Sequence, residues 1–366
     1  MAHEAAQTAA CARRQIARCA GGFAELGERL RRRPPRFVVT CARGSSDHAA
    51  SYGKYLIETE LGLAVASVGP SIASIYYANG SSHGSAHGFA HGSSHGSAHE
   101  SSNGTGARRP LALDDALFVT VSQSGTSPDL LRLTEAARAG GALVVGFIND
   151  EHAPLAALCD VALPLCAGPE TSVAATKSFL LSGLAFLQLV AHWSGDPALA
   201  DAVAELPGAL DAASRLDWWP ALGPLASATS LYTLGRGTGL GAALEIALKL
   251  KETCRLHAEA FSTAEVLHGP LALIDRGFPV LVVGQDDDSA ATTRSVVARL
   301  IELGASVRST LDVPGAERMP TVPSAAPVIA PLCQVQSFYL AVHRLATARA
   351  LDPDAPANLR KVTETL

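Results

Sequence analysis

Residues 116–138 read ALFVTVSQSGTSPDLLRLTEAAR. The first part, Leu117-Phe118-Val119-Thr120-Val121, is a short apolar run rich in β-branched residues, which predicts a strand. The last part sets Leu130, Leu131, Leu133 and Ala137 near one face of a helix. Between them Ser122-Gln123-Ser124-Gly125-Thr126-Ser127 carries four hydroxyls in six residues. Ser127 suits an N-cap, and Pro128 suits the first helical position, where a missing N–H costs nothing. A strand, a hydroxyl-rich turn and a helix N-terminus together offer free N–H groups and a positive dipole end to an anion such as phosphate. Gly125 lets the backbone approach closely. The loop contains no lysine of the P-loop kind, and an ordinary capped turn has the same composition, so by itself it leaves both readings open.

The pattern recurs on both sides. Phe37-Val38-Val39-Thr40 reads as a strand, followed by the turn Cys41-Ala42-Arg43-Gly44-Ser45-Ser46-Asp47 and a helix to about Glu60. Further strands are expected at 64–68, 142–148 and 161–165, with helices at 5–31, 128–139 and 172–194. This alternation predicts an α/β fold built on doubly wound parallel sheets. After a linking helix near 198–216, Leu231-Tyr232-Thr233-Leu234, the turn Gly235 to Gly239 and a helix from Leu240 to Glu252 restart the series. Arg43-Gly44-Ser45 and Arg236-Gly237-Thr238 are offset by 193 positions, whereas Val121-Ser122-Gln123 and Val283-Gly284-Gln285 are offset by 162. The shortfall of 31 is the length of segment 79–109, so the chain reads as two copies of one domain, the first carrying an insertion. The expected divisions are an N-terminal helix at 1–35, domains at 36–195 and 223–350, a linker helix at 196–222 and a tail at 351–366. Where the first copy has its hydroxyl loop, the second has Gln285-Asp286-Asp287-Asp288-Ser289, whose carboxylates would repel phosphate.

The inserted segment repeats histidine every fourth residue, at His83, His87, His91, His95 and His99. On a helix this spacing would align imidazoles for nickel or zinc, but the interspersed glycines argue for a loop, with adventitious or storage-type metal binding rather than a catalytic metal. No catalytic metal and no organic cofactor is expected.

Composition narrows the class. The 366 residues are 48% hydrophobic and 17% charged, which describes a globular chain with room for two domains. A net charge of −5 argues against nucleic acid as partner. Seven cysteines without a CxxC pair read as free thiols in a reducing cytosol. No apolar segment precedes the first arginines, and the run Phe179 to Trp193 is broken by Ser182 and Gln188. It reads as a buried helix, so a cytoplasmic protein without membrane attachment is expected.

A second dense stretch, residues 243–274, reads ALEIALKLKETCRLHAEAFSTAEVLHGPLALI. Glu245, Lys249 and Glu252 fall at i, i+4 and i+7 and share a helix face, while Lys251 points elsewhere. Such a row is either a surface ion-pair stripe or, in apolar surroundings, a site for a general base with a tuned pKa. His268, just before Gly269-Pro270, sits in a turn able to present its ring to a cleft.

With these residues the chain resembles the sugar isomerase (SIS) family, and within it the isomerase half of the glucosamine-6-phosphate synthases. The resemblance rests on SQSG (122–125), VAATKSF (173–179), ALEIALKLKET (243–253), HAEAF (257–261), VLHGPLALI (266–274) and NLRKVTET (358–365). It implies that Ser122, Gln123, Ser124 and Ser127 hold a sugar phosphate together with Ser46, and that Val173 contacts the sugar through its backbone. It implies Glu252 as the base moving a proton between C1 and C2, and His268 as the ring-opening acid–base reaching in from a neighbouring subunit. Lys361 would approach the carbonyl carbon and form a Schiff base, with Glu245 and Lys249 in support. A homodimer follows.

Three departures stand out. Ala2 follows Met1 where those synthases have a cysteine nucleophile opening a glutaminase domain, so no ammonia release from glutamine is expected of this chain. Arg43 stands in the first turn where the synthases have a neutral residue, and Thr126 stands for a glutamate in the phosphate loop. These features resemble the stand-alone SIS-type glucosamine-6-phosphate deaminases. A deaminase or isomerase of galactosamine 6-phosphate or of a fructosamine phosphate adduct is the nearest rival. A sugar-phosphate sensor is the rival of another class, though no helix-turn-helix pattern accompanies the SIS motifs.

Overall fold

The run ALFVTVS forms a fully buried strand with neighbours on both sides, as a short apolar segment in a parallel sheet must. The structure, a computed structural model, describes residues 1–72, 111–323 and 326–361. The histidine-rich segment 79–109, and with it the expectation about metal, lies outside the described residues.

In chain order the first part comprises α1 (Ala2–Ala5), α2 (Thr8–Arg32), β1 (Phe37–Cys41), α3 (Ser45–Leu61), β2 (Val65–Ser67) and β3 (Ala116–Ser122). There follow α4 (Pro128–Ala139), β4 (Leu143–Ile148), α5 (Pro154–Leu158), β5 (Val161–Pro164), α6 (Lys177–Ser194), α7 (Pro197–Ala213) and α8 (Trp219–Leu222). The second part holds β6 (Ser230–Gly235), α9 (Gly239–Cys254), β7 (His257–Ser262), β8 (Pro279–Val283), α10 (Ala290–Glu302), β9 (Ser306–Ser309), β10 (Glu317–Arg318) and α11 (Ala330–Ala348).

Two five-stranded sheets result, ordered β2-β1-β3-β4-β5 and β10-β9-β8-β6-β7, with every pairing parallel. Read from its own first strand, each sheet has the same order, so each reverses direction between its first and third strands. In such sheets ligands favour the crevice beyond the carboxyl ends of the strands at that reversal. The hydroxyl loop follows β3 and the Arg43–Ser46 turn follows β1, which places both at the reversal of the first sheet.

Helix α6 is buried over nearly all its length and packs against α2, α3 and α7, which explains its apolar run. No helix among the described residues is long and apolar enough to cross a membrane. Helix α6 starts at Lys177 rather than at 172, leaving a bent, non-helical stretch before it. The helix expected over 5–31 runs from Thr8 to Arg32 after one short turn.

The join between the two parts rests on a close helix crossing. A Cβ at Gly241 on α9 would come within 2.7 Å of His48 O and 2.9 Å of Tyr52 N on α3. Real Cβ atoms do not approach backbone so closely, so glycine is what lets α9 lie against α3. The main hydrophobic cluster runs through both parts without a break, from Phe23 and Val119 to Ile246 and Phe338.

Candidate active site

One cavity of about 340 Å³ opens at the reversal of the first sheet. Nine of the residues singled out in the sequence line it: Ser46, Ser122, Gln123, Ser124, Ser127, Val173, Lys249, Glu252 and Lys361. The other two, Glu245 and His268, do not.

The hydroxyl loop turns at Gly125, whose φ of 63° lies in the left-handed region that favours glycine. The Gly125 N–H donates to Ser122 Oγ at 2.9 Å, which fixes the start of the turn. Ser127 is the N-cap of α4 by backbone position, yet its side chain makes no capping bond. Its hydroxyl lines the cavity instead. The helices α3 and α4 both begin at this cavity, so their positive dipole ends converge there.

The opposite wall belongs to α9. Glu245 and Lys249 are both buried, at 0% and 1% exposure, which rules out a surface stripe. Lys249 Nζ lies 2.6 Å from Glu252 Oε2, 3.0 Å from Ser45 Oγ and 3.4 Å from Glu245 Oε1. Glu245 is satisfied from two further directions. Tyr339 OH on α11 donates to its Oε1 at 2.7 Å, and His48 Nδ1 on α3 lies 3.1 Å from its Oε2.

Burial alone would raise the Glu245 pKa, but Lys249, then His48 and Tyr339, outweigh it and hold the carboxyl below its ordinary value. Burial likewise depresses Lys249, and the two glutamates overcome it and push the ammonium above its ordinary value. Burial beside Glu245 drives the Tyr339 hydroxyl well upward, so it remains a donor. The pair is therefore fully ionised, and Lys249 is a fixed cation clamped to Glu252. Glu252 itself is 20% exposed, lines the cavity, and has no partner for Oε1 among the described residues. That is the arrangement a general base needs, one oxygen anchored and the other available.

The third wall is the stretch before α6. Glu170 is buried and accepts the Thr176 N–H at 2.8 Å, the Ser178 N–H at 3.3 Å and the Ser178 hydroxyl at 2.7 Å. This carboxylate replaces the missing first turn of α6, so residues 172–176 stay outside the helix as a bent stretch that brings Val173 and Ala175 to the cavity. The Val173 N–H donates to Asp354 O at 3.2 Å, tying the wall to the tail. On that tail Lys361 donates to Ser172 O at 2.6 Å. Burial lowers its pKa below the ordinary lysine value, which favours the neutral amine that imine formation requires.

His268 is exposed and lies outside this cavity. It follows β7, the edge strand of the second sheet, on a loop of two short 3₁₀ turns hanging off that edge. Leu267 and Leu273 on the same loop are 40% and 63% exposed. His268 is thus exposed on a loop that also carries two exposed leucines.

Sequence reasoning missed His48, Tyr339 and Glu170. Tyr339 sits 94 positions from the carboxylate it holds and His48 sits 197 positions away, so neither contact leaves a local pattern.

Strand order and cavity define a parallel α/β chain with a hydroxyl-lined site at the sheet reversal, and comparison with known proteins gives its family. A sequence model of the SIS domain matches residues 73–192 and 224–309. The chain belongs to the SIS family. It is 35% identical over 281 residues to the isomerizing glutamine–fructose-6-phosphate aminotransferase of Leifsonia xyli subsp. xyli, across 69% of this chain and 45% of that protein. The chain thus spans about half the length of the curated relatives it matches and is homologous to their isomerase part. A crystal structure from Silicibacter pomeroyi DSS-3, provisionally designated a phosphosugar isomerase, is 40% identical, covers 97% of this chain and 99% of its own, and superposes with a TM-score of 0.85. The C-terminal domain of the glucosamine–fructose-6-phosphate aminotransferase of Francisella tularensis shares the fold at 22% identity, with a TM-score of 0.78 over 96% and 97% of the chains.

Proposed function

We propose that the chain is a glucosamine-6-phosphate deaminase, converting glucosamine 6-phosphate and water to fructose 6-phosphate and ammonia. The observation that carries this reading is one cavity lined by both an uncharged hydroxyl loop at helix N-termini and the anchored base Glu252. The phosphate docks on Ser122, Gln123, Ser124 and Ser127 with Ser46. His268 of the partner subunit opens the pyranose ring. Glu252 takes the C2 proton and returns it to C1 through an enolamine, leaving a C2 imine that water hydrolyses to the ketone and ammonia. Lys361, with its lowered pKa, polarises or captures the carbonyl carbon. Lys249 pairs with the resting Glu252 carboxylate and Glu245 holds Lys249 in place, so the base is oriented before it takes the proton.

The same reading takes the chain as two copies of one doubly wound domain, at 36–195 and 223–350, joined by a linker helix at 196–222. The shared strand order and the two SIS matches support it. It further takes the protein as cytoplasmic and as a homodimer, the latter supported by the exposed His268 on a loop with exposed Leu267 and Leu273.

Purified protein given glucosamine 6-phosphate should release ammonia and fructose 6-phosphate in equal amounts. Ammonia from galactosamine 6-phosphate or a fructosamine phosphate, but not from glucosamine 6-phosphate, would move the assignment to the rival substrate. Tight binding without turnover of any of them would favour a sensor. The shared site has its own check. Glu252→Gln and His268→Ala, each inactive alone, should regain activity when co-refolded, because one site of a hybrid dimer then has both groups intact. Absence of recovery in verified hybrids would remove His268 from the partner's site.

A further inference from the structure

Beside the hydroxyl loop the cavity holds a cation with no role in the reaction above. Arg43 sits in the turn between β1 and α3, one residue before Gly44 and two before Ser45. Its Nε donates to Asp129 Oδ2 at 3.0 Å, and its Nη2 pairs with the same oxygen. Asp129 is the second residue of α4 and is fully buried, while the arginine side chain is 49% exposed and lines the cavity. The guanidinium therefore bridges the two turns whose helix N-termini converge on the cavity. Its Nη1 donates to nothing among the described residues.

Lys249 is clamped among Glu245, Glu252 and Ser45, and Lys361 holds Ser172 O, while Arg360 lines the cavity from the tail and not from the turns at the helix N-termini. The loop Ser122 to Ser127 supplies hydroxyls and N–H groups but no charge. A phosphate monoester is close to a dianion at neutral pH, and neutral donors alone leave most of that charge uncompensated.

We propose that Arg43, steered by Asp129, is a substrate-binding residue that donates to the phosphate and selects a dianionic phosphate over a monoanionic ester such as a sulfate. This deepens the sugar-phosphate reading and rests on the phosphate docking at 122–127, but not on the chemistry that follows. Asp129 acts through Arg43, fixing its plane by two N–H groups and leaving the remaining N–H groups for the ligand.

The test is calorimetric binding of glucitol 6-phosphate, an open-chain probe that cannot react, and of glucitol 6-sulfate. Wild type should prefer the phosphate, and Arg43→Gln should weaken phosphate binding by about 10- to 100-fold, the loss of one charged hydrogen bond, with little change for the sulfate. Because Arg43→Gln removes the guanidinium that faces the buried Asp129, the double variant Arg43→Gln/Asp129→Asn is measured beside it. Weak phosphate binding in a folded double variant supports direct contact. Full phosphate affinity in either folded variant overturns the proposal, since Arg43 would then only pair with Asp129. Failure of wild type to bind the phosphate probe overturns the docking site itself. Absence of ammonia release with these binding results intact would sink the deaminase reading alone.

Discussion

Glu252→Gln should lower turnover of glucosamine 6-phosphate by about 10²- to 10⁴-fold, the range for loss of a positioned general base. Its affinity for the sugar phosphate should stay within a few-fold of wild type. The reasoning is spatial. Glu252 stands on α9, across the cavity from the hydroxyl loop, so removing its charge leaves the phosphate anchors untouched. The amide keeps the volume and can still meet Lys249, but it cannot accept the C2 proton. Wash-in of solvent deuterium at C1 is the sharper readout, because it reports the proton shift before ammonia departs. Full activity or undiminished exchange in this variant would take the base role away from Glu252.

The second large effect concerns stability. Lys249→Met should cost about 3 kcal/mol or more, because it leaves Glu245 buried without its main counter-charge. His48 and Tyr339 remain as donors and soften the loss without replacing the charge. The pH dependence identifies the cause. Glu245 has its pKa lowered from 4.5, so its contribution is present above that value and is lost as pH falls through the folded pKa. Lys249 has its pKa raised from 10.5, so its contribution is present below that value and is lost as pH rises through the folded pKa. The advantage of wild type over Lys249→Met in urea denaturation should therefore be largest between about pH 4.5 and 10.5 and shrink on both sides. An equal difference at pH 3 and pH 7 would mean that lost packing, not charge, explains the cost.

Much of the fold was legible because its signals are local. β-branched runs such as Leu117 to Val121 gave strands, and the glycine and hydroxyl turns gave the helix starts that follow them. The late start of α6 was not legible, since it depends on Glu170 folding back to cap a helix six residues on. The candidate site divides similarly. The hydroxyl loop and the row Glu245, Lys249, Glu252 show their spacing in the sequence, but whether that row faces water or the interior does not follow from spacing. The interior answer comes from Ser45, His48 and Tyr339, which reach the row from α3 and α11. The turn at His268 was readable from Gly269-Pro270, but that its ring lies outside the cavity of its own chain was not, because an exposed loop on an edge strand has no periodicity to constrain it.

The missing side chain at Gly241 bears on how the site can open. With α9 seated directly on the backbone of α3, the helix that carries Glu252 and the helix that begins at Ser45 form a single block. On the proposed reading, the distance from phosphate anchor to base is then a built-in dimension of the protein, a fixed gauge for the length of an opened sugar chain. The walls outside that block are the bent stretch at 172–176 and the tail that carries Lys361, tied to each other through Val173 N–H to Asp354 O and Lys361 to Ser172 O.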